Sequence, residues 1–323
     1  VRSKIIGPSE SFKRLKYHLS PLEANSSDEV EVQLIGVRED GKTEPLFVST
    51  SFKVDTAINA FLNGKIYDQL QLKAEISDAL NQTPAQIDYW NVIYTPLADV
   101  AMAPNLLFSV NKDSLEQGEN LLFEVGLVNN SPLAIDSMDL DIKVVVSRQN
   151  LVYQKLDRVP PIAGDSLIAL GLEIPTQNLV GKNTLLLDVN PGLKVPEQHS
   201  FNNFAQYDFF VSKDLVNPLL EVTFDGRHIL NREIVSSRPT IQISLKDNNS
   251  FLALDDTSAF QIRLRKPDGS EEVIHHSSPN YQLDFLPASL PENTARVIFV
   301  PELQEDGIYR LSIQAEDRTG NSS

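Results

Sequence analysis

Hydrophobic residues in this chain alternate with polar ones in short runs bounded by turn residues. That period of two is a β-strand signature which a helix cannot satisfy. Val30, Val32 and Leu34 alternate with Glu31 and Gln33, and Leu70, Leu72, Ala74 and Ile76 alternate with Gln71, Lys73 and Glu75. The run 87–94 is aromatic and β-branched on both faces, so it reads as a central strand covered on both sides. Asp40-Gly41, between Glu39 and Lys42, supplies a hairpin turn, and only the stretch 55–61 hints at a helical turn. After a Pro- and Ala-rich break at 96–104 the alternation resumes at 121–128, 140–147, 151–158, 166–174, 184–189 and 204–211. This is roughly the 8–12-residue rhythm of a β-sandwich. A second break at 213–218 precedes runs at 219–224, 240–245, 260–264, 272–275, 281–285, 295–300 and 308–315, with tight turns at Asp225-Gly226 and Pro267-Asp268-Gly269.

The expectation is therefore an all-β chain of three consecutive antiparallel β-sandwich domains, at 1–99, 100–213 and 214–323. A length of 323 residues suits that number of domains, and 41% hydrophobic residues suffice for packed cores. In the middle domain Leu122, Val125 or its strand neighbours, Val144, Val146, Leu185 and Leu187 are the expected core.

Charge and residue usage narrow the function. With 44 acidic against 28 basic residues the formal charge is −16, which repels phosphate backbones and anionic lipid and so argues against nucleic acid and membrane surfaces as partners. No run of about 18 apolar residues occurs, so membrane insertion is not expected. Cysteine is absent, which removes disulfides, thiolate metal sites and a cysteine nucleophile from these residues. The chain opens on Val1 and closes on Gly320-Asn321-Ser322-Ser323, and both ends read as lying inside a longer gene.

The search for chemistry yields little. His18, His199, His228, His275 and His276 have no ligand neighbours at zinc spacing, and consecutive His275 and His276 on a strand would face opposite ways. No phosphate-binding glycine loop and no Gly-x-Ser-x-Gly elbow is present. Asp247-Asn248-Asn249 and Asp255-Asp256-Thr257 are candidate calcium loops because hard cations want clustered oxygens, although Asp-Asn clusters are equally the ordinary chemistry of turns. Tyr89, Trp90 and Tyr94 would make either a sugar-stacking platform or, as is commoner for aromatics on a strand, core packing. Sequons at Asn25, Asn81, Asn129 and Asn248 are expected by chance. No catalytic, cofactor-binding or metal residue is assigned, and calcium is the one ion left open.

Three stretches carry a family resemblance: 103–108 (Ala-Pro-Asn-Leu-Leu-Phe), the strand 121–130 ending in Val-Asn-Asn, and 187–191 leading into 195–203. Together they resemble the CARDB module, an immunoglobulin-like domain of bacterial cell-adhesion proteins that closes on a Val-x-Glu-x-x-Glu-x-Asn-Asn turn. Glu197, Asn202 and Asn203 match that turn, while Ser200 stands where a second Glu is common. Physically, the Asn pair is suited to cap a tight loop by bonding its own backbone. The first domain, through 6–9, 32–41, 67–76 and 83–90, resembles the jelly-roll-like module that precedes CARDB domains in gingipain-related cysteine peptidases of the Bacteroidetes. The last domain, through 217–226, 251–257 and 307–321, is similar to the Ig-like segment that follows CARDB in those proteins.

The resemblance implies a non-catalytic region of a type IX secretion system protein, secreted or held on the outer cell surface, with any peptidase domain upstream of Val1. Its partners would be other domains of the same polypeptide and a cell-surface protein or polysaccharide. The leading expectation is a structural or adhesive segment that positions the peptidase domain. A carbohydrate-binding first domain, with or without calcium, is the alternative, and a glycosidase or peptidase in its own right is the third reading.

Overall fold

The computed structural model describes residues 1–323 apart from 25, 39, 63–66, 147–149 and 276–280. The expected His276, the Asn25 sequon and Glu39 of the first hairpin turn lie outside the described residues. Strands dominate, arranged as three successive pairs of sheets, and among the described residues no strand of one pair joins a sheet of another. No helix of the described residues is long and apolar enough to cross a membrane.

The first pair contains β1 (Ser11–Ser20), β2 (Asp28–Val37), β3 (Thr43–Ser49), β4 (Lys53–Ala57), β5 (Gln69–Asp78) and β6 (Gln86–Thr95). One sheet has the order β4-β1-β6 and the other β3-β2-β5. The nested pairing of β1 with β6 and β2 with β5 is a jelly-roll trait, carried by six strands among the described residues where a full jelly roll has eight. Leu15, Tyr17, Leu19, Val30, Val32, Leu34, Leu70 and Leu72 face one another as the core. Gly36 leaves room for a further member, since a Cβ there would meet the Tyr67 ring at 2.5 Å.

Here the strand 87–94 proves to be an edge, not the centre: β1 occupies the middle of its sheet. The alternation in β1 escapes notice because the register shifts between Phe12 and Arg14, so Phe12 and Leu15 face inward three residues apart. The doubly apolar look of β6 has a similar origin, a shift opposite His18 and Leu19 that leaves Asp88 as the extra residue. The helical turn expected at 55–61 is the end of β4 followed by a single 3-10 turn, Ile58–Ala60.

The second pair holds β7 (Val100–Met102), β8 (Phe108–Val110), β9 (Ser114–Glu116), β10 (Leu121–Asn129), β11 (Met138–Val146), β12 (Asn150–Val159), β13 (Leu167–Ile174), β14 (Gly181–Val189) and β15 (Phe204–Ser212). Its sheets are β13-β10-β7, with β8 also on β10, and β12-β11-β14-β15-β9. That is the Greek-key division of an immunoglobulin-like sandwich, with the first-strand segment β9 crossing over to run parallel with the last strand, β15. Val125, Val144, Leu185 and Leu187 are buried as expected. Leu122 is not: it is 50% exposed, because Leu121, Phe123, Val125 and Leu127 take the inward parity of β10. Val146 is only half-buried at the strand end.

The third pair is built from β16 (Leu219–Phe224), β17 (Ile241–Lys246), β18 (Phe260–Arg265), β19 (Glu271–Ile274), β20 (Gln282–Leu286), β21 (Thr294–Val300) and β22 (Arg310–Ala315). The sheets run β16-β17-β21-β20 and β19-β18-β22, again an immunoglobulin-like split. Ile241, Ile243, Ile262, Leu264, Val297 and Phe299 fill the centre. Leu245, Leu254, Ala295 and Ala315 form a smaller apolar floor.

Candidate functional site

The aromatic candidates separate by parity. Trp90 sits opposite Tyr17 across the β1–β6 pair and, with Tyr94, packs against the first core, whereas Tyr89 is 42% exposed on the other face beside His18. Consecutive residues of one strand cannot share a platform. His18 Nδ1 and Ser20 Oγ each lie 2.6 Å from Asp88 Oδ2. A hydrolytic triad needs the imidazole between hydroxyl and carboxylate; here the carboxylate stands between the other two, so the histidine cannot take the serine proton. His228 pairs with exposed Glu221, His199 lies against the Phe201 ring, and His275 follows β19 at the surface.

A groove of about 430 Å³ opens between β12 and β13. Its charges are already engaged, Lys155 with Asp157 at 2.7 Å and Glu173 with Asn120 at 2.6 Å. Of the sequon residues, Asn129 is fully buried and donates to the carbonyls of Leu133, Ile162 and Ala163.

The turn 195–203 is a buried latch. Glu197 Oε2 accepts from Asn190 Nδ2 at 2.7 Å and from Asn203 Nδ2 at 2.6 Å, while its Oε1 accepts from the backbone of Val100. Burial pushes the Glu197 carboxyl up, and the two amide donors offset part of that. Asn202 reaches Asp99 instead of its own backbone, and Asn203 donates to the carbonyl of Val189. The pair therefore ties the β14–β15 loop to the strand that opens this sandwich.

Of the two expected calcium loops, Asp255-Asp256-Thr257 resolves into local bonds: Asp255 pairs with Arg318 at 3.1 Å and Asp256 caps the turn Thr257–Ala259. The other, Asp247-Asn248-Asn249, is part of something larger. Inward positions of β17 are Ile241, Ile243 and Leu245, and the same parity carries the chain to Asp247 one step past the strand. On the facing sheet, Ala315 closes β22 and the same step of two brings Asp317 inward. Asp214, half-buried on the segment between β15 and β16, completes the group. One carboxylate oxygen from each lies within 4.8 Å of the others.

Donors are shared unevenly in this cluster. Asp317 Oδ1 accepts from Thr319 N, Thr319 Oγ1 and Asn321 N, and its Oδ2 from Asn321 Nδ2. Asp214 accepts from Val216 N and Asn249 Nδ2. Asp247, only 4% exposed, has a long 3.4 Å contact from Asn293 Nδ2 to Oδ2, and its Oδ1 is buried without a partner. Burial over the Leu245–Ala315 floor, reinforced by the charges of Asp214 and Asp317 and opposed in part by the amides of Asn248 and Asn249, pushes Asp247 up to about 6. None of the three makes an ion pair with a basic side chain among the described residues.

The second sandwich braces the cluster. Asn249 Nδ2 donates to the carbonyl of Gln117, and Gln117 Oε1 accepts from Asp214 N. Gly118 has φ +94° and its missing Cβ would lie 2.5 Å from Leu252 Cγ, so the β9–β10 loop and the 247–254 loop meet without a side chain between them.

No protein-family model matches the chain, and no curated protein sequence matches it. Among solved structures, a CARDB domain from Pyrococcus furiosus, determined in complex with di-metal ions, is 17% identical over 36% of this chain and 89% of its own, with a TM-score of 0.28. A Parabacteroides merdae β-glucuronidase (16% identity, 72% of this chain, 30% of that one, TM-score 0.25) and red sea bream transglutaminase (14%, 67%, 29%, 0.25) are also similar. The chain spans less than a third of those two enzymes. Likeness at this level assigns no family to the chain.

Proposed function

We propose that this chain is a non-catalytic structural and interaction segment of a larger secreted or cell-surface bacterial protein. Its three domains, at 1–99, 100–213 and 214–323, would position an upstream gingipain-like cysteine peptidase domain or mediate surface adhesion. The observation that carries this reading is where the buried polar groups point. Glu197, Asp78 and Asn293 each tie loops of a sandwich together, and none of them lines the groove between β12 and β13. Polar groups spent on holding loops are the mark of a scaffold, since a catalytic group needs access to a reacting atom. The neighbours of such a scaffold are domains of the same polypeptide, with a surface protein or polysaccharide as the outer partner.

The experiment is to express the chain with and without its own upstream coding region and to assay peptides, polysaccharides and retention on cells. The chain alone is expected to hydrolyse nothing, and deleting it from the parent is expected to release or misplace the upstream domain. Saturable hydrolysis by the chain alone, lost in Asp88→Asn, would overturn the reading. Carbohydrate binding by the first domain has exposed Tyr89 in its favour, without Trp90 beside it. A glycan-array signal abolished by Tyr89→Ala would move the assignment to that alternative.

A further inference from the structure

We propose that Asp214, Asp247 and Asp317 hold a calcium ion at the seam between the second and third sandwiches. The argument starts from the distances. Calcium takes oxygen ligands at about 2.3–2.6 Å, so two oxygens on opposite sides of one ion stand about 5 Å apart and all other pairs closer. Three carboxylate oxygens within 4.8 Å of one another fit that sphere. The second and independent observation is the Asp247 side chain: it is more than nine-tenths buried, its Oδ1 has no partner, and its carboxylate reaches into the cluster. A buried carboxylate oxygen costs free energy unless something positive or donating meets it. The described residues offer no Lys, Arg or His to do so.

The other ligands a calcium ion wants are carbonyl oxygens and water, which loop-built sites supply readily. Magnesium is a poorer match, since it demands near-ideal octahedral geometry and gives up its water reluctantly. The three aspartates come from three places: the segment leaving the second sandwich, the end of β17, and the end of β22 on the facing sheet. An ion there joins both sheets of the third sandwich to the chain that enters it. It also stiffens the 247–254 loop, which already contacts Gln117 and Gly118 of the second.

The test uses the whole 323-residue chain, stripped with a chelator and held at about pH 7.5, where aspartates are ionised. Calcium chloride is titrated in by calorimetry, and thermal unfolding is followed with and without it. One saturable site is expected, with a dissociation constant on the order of 10⁻⁴ M. Saturation should raise the third sandwich's unfolding temperature by about 4–8 °C. Asp247→Asn keeps the side-chain volume and an acceptor for Asn293, and should weaken binding at least ~10-fold, a loss of about 1.4 kcal/mol. Asp214→Asn, in the connecting segment, gives the same reading should the first variant fail to fold. Asp255→Asn should bind as the wild type does. Absence of a saturable heat, an equal temperature shift from magnesium or sodium chloride at matched ionic strength, or loss of binding in Asp255→Asn with retention in Asp247→Asn would each overturn the assignment.

Discussion

Two aspartates in this protein occupy equivalent places and meet opposite fates. Asp78 ends β5 on the inward parity set by Leu70, Leu72 and Ala74, and Asp247 follows β17 on the inward parity set by Ile241, Ile243 and Leu245. At Asp78 the chain turns back over the carboxylate: Ser27 Oγ and the amides of Leu80, Asn81 and Thr83 all donate to it. Those donors, Ser27 foremost, hold it down at about 2. At Asp247 the amides of Asn248 and Asn249 give only partial relief, those of Phe251, Leu252 and Leu254 go to the Asn249 and Asn293 side chains, and burial with two like charges prevails. The lesson is that a buried acid at a strand end is a turn-former or an ion-holder according to how many of the following loop's amides turn back to it.

The largest effect should come from Asn293, fully buried, whose amide donates to the carbonyls of Asn249 and Leu252 and whose oxygen accepts from Leu254 N. Asn293→Ala leaves these groups unpaired and should cost about 3 kcal/mol, read from a urea midpoint. A loss below ~1 kcal/mol would mean that the 247–254 loop is held by other contacts.

Asp247→Asn should do the reverse in chelator. A carboxyl raised in the folded state binds its proton more tightly there than in the unfolded chain, so ionisation erodes stability as pH rises from about 4 to about 6. Above that window the variant should be more stable than wild type by about 1–2 kcal/mol, and at about pH 4 the two should coincide. Destabilisation at neutral pH without any metal would break the comparison.

Asp78 should show the opposite slope. Its carboxyl is depressed in the folded state, so its contribution is complete above about 4 and is lost as pH falls towards about 2. Trp90 is the single tryptophan and packs against the first core, so its fluorescence isolates that transition. The acid-limb slope should flatten in Asp78→Asn; an unchanged slope would take the role away from this residue. The smallest effect is expected from Asp255→Asn, which breaks one exposed pair with Arg318 and should change stability by less than about 0.5 kcal/mol.

Much of this was legible from residue order. Period two and turn chemistry mark most strands of the second and third sandwiches. They miss β1, whose bulge after Phe12 breaks the rhythm, and they misplace β6, whose extra residue at Asp88 mixes its two faces. Asp247 was visible as part of a turn-like triplet, and parity counted on from Leu245 would have turned it inward. The same count from Ala315 would have reached Asp317. Nothing local brings in Asp214, because its place depends on how the second sandwich hands the chain to the third. The role of Asn203 was hidden for a like reason: its partner Glu197 is nearby, but the strand that both secure begins at Val100.

The parallel pairing of β9 with β15 has a mechanical consequence. Tension applied to the two ends of the middle sandwich pulls these strands along their lengths in opposite senses. The links around Phe210–Ser212 then share the load, as rivets do in a lap joint. In the first sandwich β1 and β6 run antiparallel, with Ser11 beside Thr95, so the same pull opens their ladder one rung at a time. When the whole chain is stretched in a single-molecule experiment, the first sandwich should yield before the middle one.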